Sequence, residues 1–408
     1  MKILILGGGI SGLTTAWTLQ KKYPDAHITL LEKSDRLGGC IETIQEENFV
    51  FEKGPRTFVD TRSPSLLALI QELGLESELI FASPDAKKRY LYIDGKLRTP
   101  FSLLPKMLFP LLLEPFRAPS PAEDESIYDF AARRFSPALA NTFFDPMTLG
   151  IFAGDIHKLS LRSCFPTLHN WEQTHGSILR ALWRTSRTSS RLFTLQRGLG
   201  SLITTLAQKL TADIHLNTSI LAIEREGVVT ANRFWAADHI ISALPGPVIG
   251  RLTNLWPNFP AASLWVVNLT FPPNALSRSG FGYLVPTQEN EPLLGAIFDF
   301  SLFLQPDRKT RLTAMLRPLG DVAWAGATAL ASIRRHLALT LSPLSVNSHL
   351  VQEAIPQFEV GYAKQLAQFC ERMQSDFPHL TLVGNYLEGP SLDNCVKLAS
   401  LKLSKLFS

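Results

Sequence analysis

Aliphatic residues in this chain fall in short unbroken runs more often than in strict alternation. Residues 3–6, Ile-Leu-Ile-Leu, are such a run. Four consecutive aliphatic positions fit a strand buried on both faces, as in a parallel sheet covered by helices. A helix is predicted from near Ile10 and a second strand over residues 27–31. From about residue 90 to 190 the pattern reads mainly as helices. Further along, GLGSLITTLAQKL predicts a helix near Gly200, DIHLNTSILAIE a strand, and DHIISALPGPVI a buried strand ending in a proline turn. SLWVVNLTF and GAIFDF read as strands of a second sheet, and LTLVGNYLEGPSLDNCVKLASLKL as strand, glycine-bearing turn and helix. Like pieces sit at both ends with unlike material between them, so the chain is expected to leave its first domain and return to it.

The turn between the first strand and helix carries Gly7, Gly9 and Gly12 in the spacing GxGxxG. In a nucleotide-binding unit the first glycine allows the tight turn, the second a close approach of backbone to pyrophosphate, and the third close packing of helix on strand. The helix would aim its free N–H groups and positive dipole end at the phosphates. Glycine-rich turns also occur for purely structural reasons, so context decides. Here the second strand ends in Glu32, 20 residues past Gly12, where an acid can hydrogen-bond the ribose hydroxyls of an adenine dinucleotide.

At 408 residues the chain is long enough for two or three domains. Its 45% hydrophobic and 19% charged content exclude a disordered chain. The net charge of +4 comes without any block of like charge, so no nucleic-acid partner is expected; a mild basic excess suits an anionic membrane surface or an acidic small substrate. Cys40, Cys164, Cys370 and Cys395 lie far apart and fit reduced thiols of a cytosolic protein, and the histidines show no ligand spacing, so no metal is expected. The first strand starts at residue 2, and the chain is expected to stay where it is made. Residues 100–116, PFSLLPKMLFPLLLEPF, are strongly apolar but hold a proline every fifth position. Such a segment is too short and too interrupted to span a bilayer. It fits either short amphipathic turns lying in a membrane interface or a buried wall of a substrate cavity.

A nucleotide site without a GxSxG elbow, a Walker lysine or a distinctive carboxylate pair points to redox chemistry carried by FAD or NAD. Glu32 is followed by Arg36, Gly38, Gly39 and Cys40, where paired glycines would keep the loop thin as a cofactor passes. This continuation resembles the extended fingerprint of amine-oxidase-like flavoproteins, which hold FAD along its length. EKGPRTF belongs to the same pattern: Gly54 and Pro55 would form a tight turn, and Arg56 would lend positive charge to the reduced, anionic flavin ring. The alternative for Arg56 is a surface ion pair.

KRYLYIDGKLRTP, FFDPMTLGIFAGDIHKLSLRSCFPTL, AIPQFEVGY and GNYLEGPSLDNCV occur in an order that resembles the oxygen-dependent protoporphyrinogen oxidases through nearly the whole chain. The resemblance implies FAD contacts from Gly7, Gly8, Gly9, Ile10, Ser11, Gly12, Glu32, Arg36, Gly39, Cys40, Gly54, Pro55, Arg56 and Thr57. Ile220 would lie by the adenine end, with Asn385, Pro390, Ser391 and Leu392 closing over the isoalloxazine. It further implies that Arg89 pairs with a propionate of the substrate and that the backbone of Gly154 positions the macrocycle. A solvated strand arginine and a helix-breaking turn are the plain alternatives. Pro390 departs from the small aliphatic residue usual in the family and removes a backbone donor.

The implied fold is α/β: a discontinuous Rossmann-like FAD-binding domain (1–85, 193–260 and 350–408), an α+β substrate domain (86–99 and 261–349) and a helical membrane-binding region (100–192). The implied reaction oxidises protoporphyrinogen IX to protoporphyrin IX, six electrons in three two-electron steps, with molecular oxygen as acceptor and hydrogen peroxide as product. Coproporphyrinogen III is the alternative substrate; with four propionates it should want more basic residues than Arg89, Lys88 and Arg98. Another amine-oxidase-like flavoenzyme and a non-catalytic tetrapyrrole carrier are the competing readings. The expected location is cytoplasmic, peripheral on the inner face of the cell membrane, with a homodimer open.

Overall fold

The computed structural model describes residues 1–46, 49–185, 189–303 and 307–403. Its nucleotide-type core is a five-stranded sheet in the order Asp213–His215, His27–Leu31, Lys2–Leu6, His239–Ser242, Leu380–Leu382, parallel throughout. Leu4 lies between Thr29 and Ile240 in register. Every residue of Lys2–Leu6 after Lys2 is buried, as an aliphatic run covered on both faces must be. The helices Ile10–Lys22 and Leu392–Leu403 pack on each other, and Ile5, Leu13, Ile241, Val383 and Leu392 share one core. Both ends of the chain therefore build one layer.

The second sheet has seven strands in the order Ser345–Pro356, Ala261–Pro273, Lys309–Leu316, Leu293–Ile297, Gly282–Leu284, Arg89–Ile93, Lys96–Arg98. The helix Val322–Leu337 closes its core with Ala325, Ala329 and Ile333. The start of the stretch read as mainly helical is thus a hairpin, turned by Asp94 (φ 52°) and Gly95 (φ 71°), an Asp-Gly pair of the kind that two-residue hairpin loops select. Ser345–Pro356 belongs wholly to this sheet, pairing with Ala261–Pro273 along its length, so it crosses the expected boundary at 349/350.

DIHLNTSILAIE is not one strand. Asp213–His215 joins the parallel sheet, Asn217 turns the chain at φ 53°, and Ile220–Glu224 enters a separate three-stranded antiparallel sheet. Asn217 N–H donates to Ser34 O at 2.9 Å and Thr218 N–H to Glu32 O at 2.8 Å; those bonds bend the chain around the end of the neighbouring strand, which local propensity alone does not reveal.

Residues 100–116 form a 3-10 turn (Pro100–Leu103), a helix (Leu104–Leu113) and a second 3-10 turn (Glu114–Phe116). Met107 and Leu111 pack inward, whereas Phe101, Leu108, Phe109, Leu112 and Phe116 are exposed, together with Trp183 of the helix Ile178–Arg184. Beneath them Arg134, Glu172 and Glu114 form a buried ionic cluster. Glu114 also accepts from Ser177 Oγ and from the N–H groups of Ile178 (2.9 Å) and Leu179 (3.2 Å), capping that helix. Among the described residues no helix is long and apolar enough to cross a membrane.

Candidate functional site

The glycine turn sits at the C-terminal edge of the parallel sheet, where α/β proteins bind nucleotides. Gly7 takes φ 100°, and its N–H donates to Leu31 O at 2.8 Å. A Cβ on Gly12 would fall 1.9 Å from Gly7 O, so the third glycine of the motif is demanded by helix-on-strand contact. Gly9 differs. A Cβ there would meet nothing nearer than Gly39 Cα at 3.9 Å, and Gly39 (φ 58°) is itself in the left-handed region. Gly9 and Gly39 thus form a side-chain-free slot at the start of the helix Ile10–Lys22.

Glu32 closes one end of this slot. Its carboxylate is buried and accepts from Gly8 N–H at 2.7 Å and Ser34 N–H at 2.9 Å. Two donors fix both oxygens while each keeps a lone pair for a hydroxyl. Ile220 follows two residues after Thr218, which bonds the Glu32 carbonyl, so it is brought to the same end. Arg36 turns to its own loop, donating to the carbonyls of Leu37, Ile41 and Gly39 and pairing with Glu42 at 2.7 Å. It shapes the Gly38-Gly39 bend rather than offering a free charge.

The second loop is pressed onto the first. A Cβ on Gly54 would sit 2.0 Å from Cys40 O, which explains the glycine and sets Pro55, Arg56 and Thr57 beside the slot's flank; the Cys40 side chain is exposed. Just before it, Glu52 is buried and accepts from Leu199 N–H at 2.7 Å and Thr43 Oγ at 2.9 Å, and burial pushes its carboxyl up despite those bonds. It ties the loop to the start of the helix Gly200–Lys209. Glu52, Arg56, Thr57, Thr194, Gln196 and Asp299 line a cavity of about 50 Å³.

Arg56 is neither on the surface nor free. It is 9% exposed, and it pairs with Asp299 at 3.0 Å, bonds Thr313 Oγ, and donates to Glu52 O at 3.0 Å. The positive charge expected beside the flavin is thus shared with a buried carboxylate, and the ion pair offered as its alternative is buried and not on the surface. GAIFDF reads from sequence only as a strand, and its Asp299 becomes visible only when two sheets meet.

The C-terminal turn lies against the same helix N-terminus. Gly384 and Gly389 take φ 144° and 119°; Asn385 donates to Ala354 O at 2.9 Å. Ser391, after Pro390, caps the last helix through Asn394 N–H at 3.1 Å. Leu392 and Ile10 share a core. Ser11 hydrogen-bonds Cys395, whose thiol burial pushes up to about 11.

Arg89 and Gly154 stand apart from the slot. The Arg89 guanidinium lies over the Phe281 ring at 4.6 Å, on the strand beside Gly282–Leu284. Among the described residues it has no acidic partner, whereas Lys88 pairs with Asp85 at 2.8 Å and Arg98 with Asp94 at 3.2 Å. Gly154 follows Ala153 (φ 50°), which ends the helix Asp145–Phe152. A Cβ on Gly154 would meet Gln357 Oε1 at 2.2 Å and Leu159 Cδ1 at 2.7 Å, so the ends of those two side chains must shift to admit a larger residue here. Among the described residues no group of three or more metal-ligating side chains is assembled.

Residues 10–388 match the family described as flavin containing amine oxidoreductase. The chain is 31% identical to the protoporphyrinogen oxidase of Homo sapiens, over 97% of this chain and 96% of the human one. It is 24% identical to the coproporphyrinogen III oxidase of Bacillus subtilis, over 97% and 95% respectively. The fold superposes on a crystal structure from Exiguobacterium sp. 255-15, assigned to the protoporphyrinogen oxidases, with a TM-score of 0.86 at 24% identity, covering 99% of this chain and 98% of that one.

Proposed function

Because the chain belongs to the flavin containing amine oxidoreductases and, within them, to the protoporphyrinogen oxidases, we infer that its glycine slot holds FAD and that Arg89 receives the substrate. The protein is an oxidoreductase that oxidises protoporphyrinogen in haem biosynthesis. The observation that carries the cofactor reading is the slot: Gly9 leaves its Cβ direction open while Gly12 and Gly54 are sterically closed. An empty strip of backbone ending in a doubly anchored carboxylate fits a pyrophosphate and its ribose.

Bound FAD supplies the two-electron acceptor. The chain contributes orientation. Glu32, fixed by Gly8 and Ser34, receives the ribose hydroxyls, and the start of the helix Ile10–Lys22 faces the phosphates. Arg89, stacked on Phe281 and without an acidic partner among the described residues, is set to form a bidentate pair with a propionate. That contact holds one edge of the macrocycle so that a bridging carbon faces the flavin. Six electrons leave in three two-electron steps, molecular oxygen takes each pair, and hydrogen peroxide is released.

Protoporphyrinogen IX is favoured over coproporphyrinogen III because Lys88 and Arg98 spend their charges on Asp85 and Asp94, whereas Arg89 has no acidic partner among the described residues and lies on the Phe281 ring. The relative from Bacillus subtilis keeps the four-propionate substrate as the second reading. Anaerobic mixing of the flavin-loaded protein with each porphyrinogen separates the two: rapid bleaching by protoporphyrinogen alone is expected, and a flavin that neither reduces would overturn the oxidase reading.

The exposed side chains of Phe101, Phe109, Phe116 and Trp183 support peripheral attachment to the inner face of the cell membrane. Aromatic residues suit the headgroup level of a bilayer, and Arg180 and Arg184 on the Trp183 helix are exposed to meet anionic lipid.

A further inference from the structure

The ion pair between Arg56 and Asp299 joins two parts of the fold that are far apart in sequence. Arg56 belongs to the turn pressed against Cys40; Asp299 opens the short helix Asp299–Leu302 after a strand of the seven-stranded sheet. Both side chains are largely buried. Asp299 Oδ2 lies 2.7 Å from Thr313 Oγ, and Thr313 Oγ lies 2.8 Å from Asn268 Oδ1. Thr313 and Asn268 are cross-strand partners in that sheet.

A threonine hydroxyl has one proton and can donate to only one of these two oxygens. Asn268 Nδ2 is buried without a partner. With the amide turned over, Asn268 donates to Thr313, Thr313 donates to an ionised Asp299, and Arg56 donates to both. The hydroxyl proton then has a single acceptor, and Arg56 counters the burial that pushes the Asp299 carboxyl up. Arg56 Nε remains buried without a partner, and the residue lines the small cavity with Thr57 and Asp299.

We propose that Asp299 is a positioning residue: as the buried counter-ion of Arg56 it docks the 54–57 turn on the substrate sheet and lowers the positive charge felt by the flavin. The assignment rests on the flavin reading above. A guanidinium beside a flavin favours the reduced, anionic ring; a carboxylate 3.0 Å from that guanidinium cancels most of its field. Asp299 thus holds the flavin's electron affinity below what Arg56 alone would give, which suits a cofactor that must return its electrons. Its neighbours Thr313 and Asn268 fix the carboxylate so that charge and turn move together.

The test uses the purified flavin-loaded protein with Asp299→Asn and with the double variant Arg56→Gln/Asp299→Asn. At a fixed poised potential the ratio of reduced to oxidised flavin should rise about tenfold in Asp299→Asn, a positive shift of about 30 mV for a two-electron couple. It should return to within about threefold of wild type in the double variant. Asp299→Asn that keeps its flavin with an unchanged potential would overturn the proposal. Denaturant unfolding of the flavin-free protein reads the pair without the cofactor: Arg56→Gln and Asp299→Asn should together cost less than the sum of the two, and additive losses would refute the pairing. If the single variants do not fold, Thr313→Val keeps both charges and should weaken flavin binding at least threefold with little change in potential; unaltered binding would overturn the positioning role. A wild-type protein that cannot take up flavin would refute the flavin reading, while the unfolding cycle would still report on the pair.

Discussion

Gly12 and Gly9 sit three residues apart in one motif and answer to different constraints: a Cβ on Gly12 would lie 1.9 Å from Gly7 O, and a Cβ on Gly9 would meet only Gly39 Cα at 3.9 Å. Gly12→Ala should therefore lift the helix from the first strand and cost about 1–3 kcal/mol in overpacking. Gly9→Ala should leave the flavin-free protein within about 1 kcal/mol of wild type and still abolish flavin retention. Denaturant unfolding of the flavin-free variants, set beside the flavin-to-protein absorbance ratio, separates the two effects.

Arg89→Ala removes the proposed propionate clamp while leaving the flavin slot untouched. The KM for protoporphyrinogen should rise by about tenfold or more, as for a lost charge-assisted hydrogen bond, with kcat and flavin content little changed. Arg89→Lys should recover only part of the loss, because an ammonium can neither bind bidentately nor stack flat on Phe281. Steady-state kinetics check both.

His336 couples the substrate sheet to pH. Its ring stacks on Tyr92 with centroids 3.6 Å apart, shares a hydrogen bond with Tyr283 Oη at 3.0 Å, and lies 3.5 Å from Glu291, which Arg335 also approaches. Burial holds its imidazole below the usual histidine value although Glu291 pulls the other way. The unfolded chain takes up that proton near pH ~6.5, so in acid the unfolded state binds more protons and stability falls as the pH drops below about 6.5. Melting temperature against pH should show this slope, and His336→Phe should flatten part of it. His239 and His349, lowered by burial as well, should add to the same slope.

Arg134, fully buried, faces two buried carboxylates. Arg134→Met should cost about 3–5 kcal/mol, because Glu114 loses its buried counter-charge and Glu172 is left with the half-buried Arg133 alone. Limited proteolysis should then cut first within residues 104–184, ahead of the parallel sheet.

Phe109→Ser with Phe116→Ser removes two of the exposed rings. A buried aromatic side chain is worth about 1.5–3 kcal/mol, so binding to phosphatidylcholine vesicles containing phosphatidylglycerol should fall at least about a hundredfold. Cosedimentation measures it, and activity toward detergent-dispersed substrate should stay near wild type.

What the sequence determined by itself was local and short in range: the aliphatic run of residues 3–6, the spacing of Gly7, Gly9 and Gly12, and the acid at Glu32 are written within one strand-turn-helix-strand unit. Backbone geometry fixes those intervals, so they survive translation into a pattern of letters. The two-ended domain was legible for the same reason, since Leu380–Leu382 and Leu392–Leu403 repeat the strand-turn-helix pattern. The hairpin Arg89–Arg98 carried its signal in Asp94-Gly95, which the neighbouring helical periodicity outweighed. Only the tertiary structure decided the fates of the charges. Arg36, Arg56, Lys88 and Arg98 look alike as letters, and each is committed to a partner, whereas Arg89 lies on an aromatic ring with no acidic partner among the described residues. An ion pair such as Arg56 with Asp299 spans 243 positions; its strength depends on burial and distance, and neither has any period along the chain.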